Sequence, residues 1–152
     1  MISLIDIYGA IKKQLLKTGI KNIYDAEVTQ GFKRPCFFIN LIVDKDDNET
    51  IHLNEKNILV SINYFSKNKT QLENLEMYEI LKKSFSLPLQ IDDRKILPSK
   101  ISTESKAYES NRFLQFSFWL KYYDNTYFDE GKEEYPVMQD LDIKINNKRG
   151  YR

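Results

Sequence analysis

With a single cysteine, Cys36, and a single histidine, His52, the chain has neither a thiol pair for an internal disulfide nor a set of soft ligands for a structural zinc. A reducing cytoplasm is the compartment that fits. Its five glycines nowhere recur at the spacing of a phosphate-cradling loop. No apolar run approaches the ~20 residues of a membrane span. The opening residues, with an acid at Asp6, do not make a secretion signal. The expectation is a soluble protein with no membrane role. Net charge is missing too: 23 Lys and Arg against 22 Asp and Glu leave no field to gather nucleic acid or anionic lipid.

What is present is apolar material, 41% of 152 residues, enough for one packed domain. Ser3 and Asp6 form a capping box with a short acid. Leu4, Ile5, Tyr8, Ile11, Leu15 and Leu16 then recur at helical spacing, which predicts a helix over 4–17 ended near Gly19. From Asn22 to Thr29 the alternation of Tyr24, Ala26 and Val28 predicts a half-buried strand running into a turn, Gln30–Pro35. Cys36–Val43, rich in Phe and Ile, reads as a central strand covered on both faces. Residues 57–65 alternate Ile58, Val60, Ile62 and Tyr64 and are expected to pair with it.

Thr70 with Glu73 repeats the capping-box pattern, and Leu72, Leu75, Tyr78, Leu81 and Phe85 mark a second helix that stops before Pro88. Two hairpins follow, 89–91 with 95–97 around Asp92 and Asp93, then 100–107 with 112–123 around Glu109–Asn111. Along the last strand Phe116, Phe118, Leu120 and Tyr122 face one way, Phe113 and Trp119 the other. The expected fold is α+β, an antiparallel sheet of four or five strands packed against two helices over residues 1–123. Residues 124–152 read as an extended C-terminal arm. In it acids cluster at Asp129, Glu130, Glu133 and Glu134, and Leu141, Ile143 and Ile145 alternate before a basic end.

The candidate residues for chemistry weigh poorly against plainer readings. Asp44, Asp46, Asn48 and Glu55 fall at positions one, three, five and twelve of a calcium-binding loop. Position six holds Glu49 where a glycine is needed, and the flanks read as strands. A solvated acidic hairpin loop is the better account. His52 has no nucleophile and orienting carboxylate in a recognisable motif, and no serine sits in a Gly-x-Ser-x-Gly elbow. Cys36 opens an apolar strand and is expected to act as a small hydrophobe. No catalytic residue, cofactor site or metal site is expected. The aromatic strand "FLQFSFWLKYY" suits core packing better than base stacking.

The tightest local feature is "QGFKRPCFFINLIV", Gln30–Val43, where a glycine, two cations and a proline abut an almost unbroken apolar run. Here Gln30, Gly31, Phe32, Arg34, Pro35, Phe37 and Phe38 resemble the Gln-Gly-Phe-x-Arg-Pro-x-Phe-Phe turn of the tail terminator (tail completion) family. Its members are encoded by prophages and phage-tail-like bacteriocins of Gram-positive bacteria. "VSINYF" before the second helix, "FWLKYYD" closing the last core strand and "MQDLDIKI" in the tail are similar as well, so the resemblance covers nearly the whole chain.

The resemblance implies a structural protein and no enzyme. Its copies would join into a homo-oligomeric ring of six that caps the tail tube, ends its growth and, in a contractile tail, touches the last sheath layer. DNA would at most pass through the lumen. Such a protein would assemble in the cytoplasm of the bacterial host and end in the virion or the released tail particle. Phe32, Lys33 and Arg34 in the turn, and Leu141, Ile143 and Ile145 in the arm, are the expected contacts with a neighbouring subunit or the tube. The plainer alternative tucks Phe32 into its own core. Another head–tail joining or tail completion protein is the alternative function, and a single-stranded nucleic-acid-binding module stands behind it.

Overall fold

The computed structural model describes residues 2–25, 31–108 and 111–125. Along the chain run α1 (Leu4–Leu16), β1 (Ile23–Asp25), β2 (Cys36–Asn48), β3 (Leu53–Phe65), α2 (Gln71–Ser84), β4 (Leu89–Ile91), β5 (Arg94–Ile96), β6 (Ser99–Tyr108) and β7 (Asn111–Asn125). Five strands form one sheet in the order β1-β2-β3-β7-β6, and β4 and β5 form a separate hairpin. The sheet is antiparallel except at β1, which runs parallel to β2. This is the α+β architecture expected. The arm residues Leu141, Ile143 and Ile145, like Gln30, Ala26 and Val28, lie outside the described residues.

Strand alternation decides where the core sits. Phe37 and Ile39 on β2, Ile58, Val60, Ile62 and Tyr64 on β3, and Leu114, Phe116, Phe118, Leu120 and Tyr122 on β7 all join one buried cluster. Successive side chains of a strand point to opposite faces, so these residues line a single face of the sheet. Both helices cover it, α1 through Ile7, Ile11 and Leu15 and α2 through Met77 and Leu81, followed by Phe85. Leu89, Ile91 and Ile96 of the small hairpin enter the same cluster. The result is two layers, helix on sheet.

The ends of α1 are built as its sequence predicts. The Ser3 hydroxyl accepts from the Asp6 backbone N–H at 3.0 Å, while the Asp6 carboxylate accepts from the Ser3 N–H at 3.2 Å. Gly19 takes φ +94° just beyond the helix, a conformation that costs glycine least. Asp124, expected at the start of the arm, belongs to β7 and is buried. It accepts from the Ile2 N–H at 2.7 Å and sits 3.8 Å from the Arg94 guanidinium. The last strand thereby fastens the N-terminal segment to the sheet.

Five expectations need correction. The stripe proposed for α2 is misplaced: Leu72 and Leu75 are 67% and 54% exposed, and Met77, Leu81 and Phe85 are buried. Steps of three residues drift by about 60° each at 100° per residue, so Leu72 lies roughly opposite Leu81 on the helix. Likewise on α1, Ile5 is 81% exposed. The capping box at Thr70 is half formed: Thr70 accepts from the Glu73 N–H at 3.2 Å. The Glu73 carboxylate turns outward and accepts from the backbone and side chain of Asn68 at 2.9 and 3.0 Å, which lowers its pKa, the backbone N–H of Asn68 contributing most.

The acidic segment after Val43 is strand, not loop. Asp46 pairs with Lys56, Asp47 with Glu55 and Asn48 with Asn54, past a register shift between Val43 and Lys45, so the turn shrinks to 49–52. Lastly, β2 is covered on both faces only over Cys36–Ile39; Ile42 and Val43 are about half exposed.

Two outcomes follow from this packing. Phe116→Ala, which empties a fully buried site, should cost ~3–5 kcal/mol in urea unfolding, whereas Leu72→Ser should stay within about 0.5 kcal/mol of the parent. The Cys36 thiol is buried and burial pushes its pKa up to about 11, with only partial relief from Arg34. It should therefore resist alkylation between pH 7 and 9 in the native protein and react once urea unfolds the chain. Rapid native labelling would contradict that placement.

Candidate interaction site

Among the described residues there is no group of three or more His, Cys, Asp or Glu side chains placed to hold a metal. The four residues at calcium-loop positions are pulled apart by the ribbon. Asn48 is held by Asn54 Nδ2 at 3.0 Å. Glu55 lies on the other face of the sheet, clamped by Lys45 at 2.7 Å and Lys121 at 3.1 Å. The hydrogen bonds from Lys45 and then Lys121 hold its carboxyl below the usual carboxylate range. His52 is exposed in the β2–β3 turn, its N–H donating to the Thr50 hydroxyl. Phe116 and Phe118 are fully buried, so bases have no access to them.

The turn before β2 is built differently from a free projection. Gly31 adopts φ +76°, where a Cβ is unfavourable. Phe32 then folds back onto its own sheet, its ring 5.3 Å from Phe38, edge to face, and 5.0 Å from Phe65. The Arg34 guanidinium lies over Phe65 at 5.2 Å and donates to the Ser66 carbonyl at 2.7 Å. Flat contact with an aromatic ring together with a hydrogen bond fixes this side chain in place. The Lys33 N–H donates to the Tyr24 hydroxyl at 3.2 Å, and Asn22 Nδ2 to the Pro35 carbonyl at 3.3 Å. The peptide between Arg34 and Pro35 is cis. Of the three candidate loop residues, Lys33 alone is exposed; Phe32 and Arg34 are half-buried.

Those contacts belong to a larger strip. Tyr24, Phe38, Phe65 and Phe113 come from four adjacent strands and touch in sequence, at centroid distances of 5.4, 5.4 and 4.9 Å. They lie on the sheet face that the helices leave open, and Phe32 with Arg34 closes one end. The sequence showed Phe113 pointing away from the core but gave no sign that it stacks on Phe65. That contact joins residues far apart in the chain.

Each side of the sheet ends in an edge. The pairing of β1 with β2 is described as far as Ile39, and residues 26–30 lie outside the described residues. On the opposite side β6 is outermost. The exposed Leu75 borders a hollow of about 510 Å³ between α2 and the β6–β7 hairpin, lined also by Tyr78 and Leu114. A second hollow lies where α1 overhangs the end of β1.

Comparison with known proteins bears on what these surfaces serve. One solved structure aligns with 90% of this chain and 99% of its own at 12% identity and a TM-score of 0.50, a likeness of fold alone. No curated protein matches significantly. A family model described as phage tail terminator protein matches residues 6–132, which include α1 from Asp6 onward, α2, all the described strands and the Phe32–Pro35 turn. The chain therefore belongs to the phage tail terminator family, structural proteins that complete the tail of the virion through contacts with other tail proteins.

Proposed function

We propose that copies of this protein close into a ring of six on the end of the tail tube and stop its growth, contacting the last sheath layer where the tail contracts. The family match over 6–132 is the observation that carries this reading. The setting is a prophage or phage-tail-like bacteriocin of a Gram-positive bacterium, with assembly in the host cytoplasm.

The geometry supports a ring through its asymmetry. Among the described residues the sheet ends at β1 on one side and at β6 on the other, so a contact joining unlike surfaces of successive copies runs head to tail. Such a contact closes when its rotation divides a full turn and otherwise climbs into a filament. A closed ring leaves no free surface in its own plane and offers the tube a single matching face.

Two elements supply the contacts in this reading. The turn carrying Phe32, Lys33 and Arg34 is already braced on its own aromatic strip, so presenting Lys33 and the outer sides of Phe32 and Arg34 costs little ordering entropy. The arm carrying Leu141, Ile143 and Ile145 has the alternation that strand addition needs. It reaches a neighbour without a large apolar patch on either copy.

The reading predicts distinct losses. Changing Leu141, Ile143 and Ile145 together to Asp should abolish ring formation by light scattering while leaving the urea midpoint within about 0.5 kcal/mol of the parent. Tails from cells carrying that gene should then vary in length; tails of uniform length would rule the arm out. Lys33→Glu should weaken capping of purified tubes by about 10-fold, with the monomer fold intact. Unchanged capping would remove the turn from the interface.

A further inference from the structure

We infer that the outward face of α1, along Ile5, Gly9, Lys12 and Leu16, docks a second copy of this chain through the outward face of its α2, along Leu72, Leu75, Glu76 and Glu79. This contact rests on the ring reading above and gives successive copies a seam of helix on helix.

The first observation is Gly9. It stands in the middle of α1, where alanine makes the more stable helix. Its position is exposed, and a Cβ there would meet no atom within 4 Å, so no contact within the chain forbids a side chain. A glycine in such a place suits the close approach of a second backbone. Ile5 and Leu16, 81% and 44% exposed, flank it on the same side of the helix, with the exposed Lys12 between Gly9 and Leu16. From Ile5 to Gly9, Lys12 and Leu16 the steps are four, three and four residues, the seam along which one helix packs on another.

The second observation is a matching face on α2. Leu72 and Leu75, 67% and 54% exposed, lead a face that continues through Glu76 and Glu79, both exposed. α1 is its opposite in charge. Its one carboxylate, Asp6, is engaged in the helix cap, and Lys12, Lys13 and, at the C-cap, Lys17 are exposed. Among the described residues neither Lys12 and Lys13 nor Glu76 and Glu79 form an ion pair. Apolar side chains bordered by one sign of charge accept a surface of the other sign and reject their own kind. The contact thus joins α1 to α2, never α1 to α1.

Placement and direction agree with a second copy as the partner. α1 lies over β1 and β2, where Ile5 and Tyr8 border Asp25, Asn40 and Leu41. α2 lies over the other side of the sheet, where Leu75 and Tyr78 border Thr103, Ser105 and Arg112. Copies set side by side bring α1 of one to α2 of the next. Within one copy a different flank of α1 faces α2: Gln14 donates to the Ser84 carbonyl at 3.0 Å, and Gln14 lies about 180° around the helix from Ile5. The two helices also run in opposite senses, α1 starting beside Asp124 near the end of β7 and α2 beside Arg112 near its beginning. Set antiparallel, Leu16 meets Leu72, Lys12 meets Glu76, and Gly9 lets the partner helix close in beside Glu79. Lys82 and Lys83 in the last turn of α2 then fall towards Asp6 and away from Lys13 and Lys17.

The test uses full-length chains. Gly9→Ala and Gly9→Leu should leave the urea midpoint of the unassembled chain at or above that of the parent, while Gly9→Leu weakens ring assembly, followed by light scattering, on the order of tenfold. A lowered midpoint would place a segment of the same chain on this face and overturn the second copy as its occupant. Lys12→Glu in one preparation, and Glu76→Lys with Glu79→Lys in another, should each assemble about tenfold more weakly at low salt. Mixing the two in equal amounts should restore assembly, since alternating chains then meet only their complements. Undiminished assembly of the separate preparations, or loss without restoration while both chains stay folded by circular dichroism, overturns the helix contact and leaves the ring reading standing. Variant rings that form normally but no longer seat on tubes assign the face to the tube and overturn the second copy. If the parent forms no ring even on isolated tubes, the ring reading falls and this contact with it.

Discussion

One constraint organises this molecule: both helices lie on the same face of a sheet whose three long strands, β2, β3 and β7, pair along almost their whole length. The alternate residues from Phe37 to Tyr122 on that face join the helices in one buried cluster, and removing this apolar surface from water drives the fold. It also fixes what stays outside. The opposite face keeps Phe38, Phe65, Phe113 and Trp119, and the strand edges keep their backbone groups. A protein whose role is to join others is thus divided into a face that makes the fold and surfaces left for partners.

The Phe32–Pro35 turn gains a physical meaning from this arrangement. Phe32 and Arg34 close the aromatic strip on the open face, with the guanidinium bonded to the Ser66 carbonyl. A turn fixed by these contacts keeps its shape before any partner arrives. The same economy holds at the far end of the sheet, where Asp124 ties the Ile2 N–H to β7 and Glu55 is clamped between Lys45 and Lys121. These contacts tie the long ribbon together past the point where the helices stop covering it.

Much of this was legible in the residues. The Ser3–Asp6 box, the alternation of Ile58 to Tyr64 and the two faces of the last strand all follow from periods of 3.6 and 2. The failures share a cause. Leu72 and Leu75 were placed in the core because three-residue steps look helical while drifting around the axis. The segment from Asp44 to Glu55 reads as loop because its residues have low strand propensity, yet β3 pairs with β2 on one side and β7 on the other, and that overrides the preference. The parallel pairing of β1, the Phe65–Phe113 stack and the Asp124 anchor are tertiary, and no local pattern announces them. For the proposed contact surface the residues pointed to the turn and the arm, and the structure added the braced state of the turn.

Electron microscopy of purified protein mixed with isolated tail tubes tests the central claim most directly. The account predicts sixfold rings seated on one end of each tube, with the other end and the tube wall bare. Protein bound along the wall, bound at both ends alike, or absent from tubes whose growth nevertheless halts would contradict it.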